Sequence, residues 1–135
     1  MKNYEGEELA FLVPLSHVNH SYIPESEFSP NEGGFVFISM GTAYINLKSS
    51  KTYYLEYSIF NKSGVDILKQ DENSMSGISN LYSPENDNEL PISSLFHMFL
   101  KMPDGIYKCT MKLLNKDKTC LDEKSIKFIV TSEQP

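Results

Sequence analysis

The chain has 135 residues, 40% of them hydrophobic and 22% charged, with a formal net charge of −6. That length fits one domain (1–135) that hides roughly two-thirds of its extended surface on folding, and the balance is globular rather than disordered. All 12 basic residues are lysine; the acidic balance argues against a nucleic-acid partner, and the lack of arginine removes the side chain best shaped for phosphate.

Leu9 to Leu15 is the first apolar run and is predicted to be a strand. It is too short to span a membrane, and it follows Glu5, Glu7 and Glu8 where a secretory leader carries basic residues. The chain is therefore read as cytoplasmic with no membrane partner. Pro14 lacks an N–H, so this strand is expected at an edge or to end there. Residues 16–34 are rich in turn formers. Phe35–Met40 reads as a short strand that Gly41-Thr42 breaks, with Ala43–Leu47 as its resumption.

Thr52–Asn61 is the clearest strand. Tyr53, Leu55, Tyr57 and Ile59 fall on one face and Tyr54, Glu56, Ser58 and Phe60 on the other, the period-two pattern of a half-buried strand. Asn61–Gly64 supplies a turn, and Val65–Lys69 is expected to return as its hairpin partner. Residues 70–91 form a long acidic stretch, read either as holding a short edge strand near Ile78–Tyr82 or as a mobile functional loop. Ile92–Met102 is ambiguous: Ile92, Leu95, Phe96 and Phe99 fit helical spacing, but the run is apolar nearly throughout and leads into Pro103, which favours a buried strand. In Ile106–Leu114, Tyr107, Cys109, Met111 and Leu113 point inward. A turn follows at Asn115–Lys118. Ile126, Phe128 and Val130 face inward in a last strand, out of phase with Leu121, which implies a β-bulge. Seven or eight short strands with frequent turns predict an all-β antiparallel sandwich.

The segment Asp104-Gly-Ile-Tyr107-Lys-Cys109 resembles the start of strand F in immunoglobulin-like domains, where a Tyr stands two residues before a Cys. The resemblance implies that the Tyr107 phenol bonds a nearby backbone group, and that the strands to either side of the Asn115–Lys118 turn form the F–G hairpin of an Ig-like sandwich. The chain departs from antibody domains in having no Trp and no Cys in Thr52–Asn61, taken as strand B. Only a fold is implied, because this fold hosts many functions.

Candidate chemistry is sparse. Cys109 and Cys120 sit roughly 13 Å apart along the predicted ladder, beyond the ~7 Å a disulfide allows, so both are expected to be free. His17-Val-Asn-His20 is a candidate metal pair, with Glu25 or Glu27 as a third ligand, if a turn brings the two rings together. His97 is read as a satisfied sheet histidine. Asp71, Glu72, Glu85, Asp87 and Glu89 do not match a calcium-loop spacing. No phosphate-binding loop, nucleophile elbow or Cys-x-x-Cys pair occurs, and no cofactor is implied. The aromatics Tyr54, Phe60 and Tyr82, with the acidic Glu85 and Asp87, are the candidate binding residues. The reading is a non-catalytic protein-interaction module, or a self-associating one, that works through a strand edge or the 70–91 loop. The alternatives are a small-ligand or carbohydrate-binding accessory domain and a metal-dependent enzyme using His17 and His20.

Overall fold

The computed structural model describes residues 6–49, 51–70, 78–81 and 93–132. They form nine strands and one helical turn: β1 Glu8–Val18, β2 Ser21–Pro24, β3 Glu27–Phe28, β4 Phe35–Ile45, β5 Tyr53–Phe60, α1 Ile67–Gln70, β6 Ile78–Leu81, β7 Ser93–Lys101, β8 Gly105–Leu114 and β9 Cys120–Val130. A four-stranded sheet has the order β2-β1-β4-β7, and a five-stranded sheet the order β3-β9-β8-β5-β6. All ladders are antiparallel except the short β3–β9 pair, where Glu27 and Phe28 run parallel to Ile129 and Val130.

Each sheet turns one face inward. Leu9, Ile38, Met40 and Met98 from the first sheet meet Tyr53, Leu55, Ile59, Cys109, Met111, Leu113 and Phe128 from the second, all nearly inaccessible to solvent. The alternation in Thr52–Asn61 and in Ile106–Leu114 thus translates directly into an inner face. β8 lies between β9 and β5, and β4 between β1 and β7. This is the arrangement of strands G-F-C and A-B-E in an immunoglobulin-like sandwich. Tyr107 is buried, and its hydroxyl donates to the Pro103 carbonyl at 2.5 Å, so the corner foreseen from the sequence is present. β5 takes the place of strand C, however, not B; the B position belongs to β4.

Four other expectations are corrected. β4 runs unbroken through Gly41, because β1 and β7 pair with it on both sides. Pro14 does not end β1 and β1 is not the outermost strand, but Pro14 does face an open edge, since β2 pairs only from Leu15 onward. Its carbonyl accepts from the Glu25 N–H, so its missing donor points to the side where the β2 ladder ends, and the β4 ladder loses nothing. Val65–Lys69 makes only the bridge Phe60–Asp66 before turning into α1. Asp66 is the cause: its Oδ1 accepts from the Leu68 and Ile59 N–H groups, capping the helical turn that sends Leu68 into the core. Ile92–Met102 does yield a strand, β7, but one buried on one side only; Leu95 and Phe99 are exposed on the other. The expected bulge falls at Leu121, where Leu113 pairs with Asp122 and Leu114 with Cys120. Of the long acidic stretch, β6 pairs with β5; Tyr82, Glu85 and Asp87 lie outside the described residues.

Candidate functional site

The outer face of the four-stranded sheet breaks the usual rule that an antiparallel sheet shows water its polar side. Register fixes what this face carries. Phe37 pairs with Phe99, Ser39 with His97 and Gly41 with Leu95 across β4 and β7. On the other side Val13 pairs with Gly41 and Leu15 with Ser39 across β1 and β4. Phe37 and Phe99 are 50% and 56% exposed. Phe35 stacks on Phe99 with ring centroids 5.1 Å apart and planes 11° from parallel.

A tight hairpin completes the face. Asn19 and His20 both have positive φ, 50° and 67°, and Val18 pairs with Ser21. This is a two-residue loop with both central residues left-handed, the geometry whose twist matches that of the strands. It turns β2 back so that Tyr22 stands opposite His17, with rings stacked at 4.8 Å. Tyr22 also contacts His97 at 5.7 Å, and His97 stacks on Phe37 at 6.0 Å. His20 meets His17 edge-on at 6.4 Å. All three histidines of the chain thus belong to one run of rings that ends at Phe37, and the Phe35–Phe99 stack adjoins it through the Phe37–Phe99 register pair. His97 Nδ1 shares a 2.8 Å hydrogen bond with Ser39 Oγ, which pins the imidazole and satisfies a buried hydroxyl. A Cβ at Gly41 would come within 3.1 Å of Leu15 Cδ1 and 3.4 Å of Val13 Cγ1; glycine there lets both side chains lie flat across the strand. Among the described residues the charged side chains on this face, Glu8 in β1 and Lys101 in β7, are exposed and stand at opposite corners.

The residues singled out in the sequence are placed elsewhere or only partly gathered. Tyr54 and Phe60 are half-buried on the outer face of the five-stranded sheet, at opposite ends of β5. The Lys118 ammonium lies 5.0 Å from the Tyr54 ring centroid. His17 and His20 do converge, but no group of three or more His, Cys, Asp or Glu side chains that could hold a metal occurs among the described residues. Cys109 and Cys120 are both free. Burial pushes the Cys109 thiol up to about 12, with the Asp66 carboxylate adding to the effect, so it stays a neutral core thiol at ordinary pH. A groove of about 650 Å³ at one end of the sandwich is lined by Asn61, Ile67, Leu100, Asp104 and Tyr107, among others. Its carboxylate is already engaged: Asp104 accepts from the Ser132 N–H at 3.0 Å and the Ser132 hydroxyl at 2.8 Å, which holds its carboxyl below the ordinary range. Phe35, Phe37, Phe99 and Tyr22 escaped the sequence reading. The signal was present in Phe35-Val-Phe-Ile and in Leu95-Phe-His-Met-Phe: strands apolar on both sides, in a two-layer sandwich that buries only one side.

No family model matches the chain, and no curated protein matches it in sequence. Among solved structures it is similar to the CARDB domain of a Pyrococcus furiosus protein, determined in complex with di-metal ions, at TM-score 0.51 and 7% identity, over 97% of this chain and 94% of that one. It is also similar to a part of a Bifidobacterium dentium β-glucuronidase, at TM-score 0.52 and 8% identity, over 93% of this chain and 18% of that one. A periplasmic chaperone, SfaE, aligns at TM-score 0.46 and 11% identity over 82% of this chain and 55% of that one. At these identities the likeness is one of fold alone, and that fold is an Ig-like all-β sandwich.

Proposed function

We propose that this protein is a non-catalytic interaction module that docks a protein partner through the outer face of its four-stranded sheet. One observation carries the reading: the centre of that face consists of exposed phenyl, phenol and imidazole rings, with the charges of the described residues confined to two corners. Large exposed apolar patches are uncommon on monomers and mark contact surfaces. An aromatic centre with a polar rim is the anatomy of a protein interface, and rigid rings bury much area for little lost side-chain freedom. A sugar-binding face would need polar groups aimed outward to fix hydroxyls. The central ones here, Ser39 and His97, are bonded to each other, which favours the apolar side chains of a protein. Two free cysteines suit a reducing compartment such as the cytoplasm.

The test is retention of a partner by tagged protein purified from its own cells. The wild type is expected to hold a near-stoichiometric partner, either another protein or an untagged copy. The double variant F37K/F99K is expected to lose it while keeping the wild-type circular dichroism spectrum. Equal retention by both forms would overturn the reading.

A further inference from the structure

From this face we infer a specific partner, a second copy of the same chain stacked on it about a two-fold axis; the inference rests on the docking role proposed above. The first argument is charge. Each copy carries a net charge of −6, so two copies repel unless they meet where acids are scarce. The aromatic face offers that place, and because it is nearly free of charge it can meet itself without burying an unpaired ion.

The two corner charges then set the orientation. Glu8 pairs with Ile45 at one end of the β4 ladder, and Lys101 with Phe35 at the other. They lie two strands apart, about 10 Å across the sheet, and ten residues apart along it, about 33 Å. A two-fold axis in the plane of contact, perpendicular to the line joining them, carries Glu8 of each copy onto Lys101 of the other. That single operation makes two identical opposite-charge contacts. It also leaves the strands of the stacked sheets crossing at about 30°, the magnitude found when sheets pack face to face.

Area is the second argument. Four strands at about 4.8 Å spacing and about 33 Å of length span roughly 500–600 Å² in projection. Protruding rings raise the accessible area above that, toward the ~800 Å² that each partner contributes to a standard interface.

Sedimentation equilibrium of the full chain from about 1 to 200 µM, with the variants Glu8→Lys, Lys101→Glu and the double swap, tests the arrangement. The wild type is expected to be a dimer. Each single variant, which creates two like-charge contacts per dimer, is expected to raise Kd about tenfold at low salt, and less in 0.5 M NaCl. The double swap is expected to return Kd to within about threefold of wild type. A dimer whose Kd ignores the single variants, or fails to recover in the double swap, overturns the crossed stacking. A wild type that stays monomeric throughout overturns the second copy as partner. The docking role itself is read in cells, where it fails if the wild type holds no partner or if F37K/F99K retains the partner as the wild type does, so the two failures are distinguishable.

Discussion

The two outer faces of this sandwich are built on the same pleat and from strands of similar length, yet they are dressed in opposite ways. On the five-stranded sheet, Glu56 pairs with Lys112 and Lys112 with Glu123. Beside them Thr110 and Ser125 share a hydroxyl hydrogen bond of 2.9 Å, and Lys108 faces Lys127. The lysines and glutamates are content in water, which screens the like charges, and the buried Thr110 hydroxyl is satisfied by Ser125. On the four-stranded sheet the equivalent positions hold Phe37, Phe99, Leu95 and His97. Water gives them nothing, and neither does the core, which lies on the other side. The difference teaches that folding accounts for the polar centre of one face, where Ile106 and Ile129 are exposed at one end, and leaves the aromatic centre of the other without a purpose inside the monomer.

Inverting the faces is the strongest way to break the contrast. F37K/F99K is expected to weaken association at least about 100-fold, equivalent to about 2.7 kcal/mol, with a melting midpoint close to wild type because both positions are exposed. The reverse change, K108F/K127F, is expected to create a second sticky face and new concentration-dependent association. Sedimentation and calorimetry check both. Next in size is Gly41→Val. Its side chain would collide with Leu15 and Val13 and is expected to cost about 1–3 kcal/mol in denaturant unfolding, as overpacking does.

A pH effect separates the core from both faces. Burial pushes the Tyr44 and Tyr53 phenols and the Cys109 thiol each up to about 12, from ordinary values of 10 for the phenols and 9 for the thiol. The unfolded chain loses these protons first, so the folded state keeps their contribution below about pH 9 and loses it as pH rises toward 12. Alkaline unfolding is expected in that window, with these two phenols ionising only as the chain unfolds, seen by tyrosinate absorbance. The smallest effect belongs to the charged face. Removing the Lys112–Glu123 pair, 3.8 Å apart and about half exposed at both ends, by Lys112→Ala is expected to change stability by less than about 1 kcal/mol.

Much of the fold was legible because burial imposes a period. Tyr53, Leu55, Tyr57 and Ile59 could alternate only if one side of β5 were wet, and Tyr107 could stand before Cys109 as a corner only at the start of such a strand. What eluded sequence reasoning was set by tertiary context. Gly41 looked like a break, but two neighbouring ladders hold it in line. Asp66 looked like part of a returning strand, but its carboxylate caps a helical turn. The candidate site was missed for a related reason. An apolar residue in a strand signals burial without saying against what, so Phe37 and Phe99 read as core. Tyr54 and Phe60 drew attention because polar neighbours made them look exposed. His17 and His20 were recognised as a pair that a turn would join, yet nothing in their spacing shows that the turn sets them beside Tyr22 and leads on to His97.

The central claim, that the aromatic face and not the charged one meets a partner, is tested most directly by a photo-cross-linking residue placed at Phe99 and, in a second protein, at Lys127, each expressed in the native cell. Discrete cross-linked product from position 99, with none from position 127, is the expected result. Product from position 127 alone, or none from either, would contradict it.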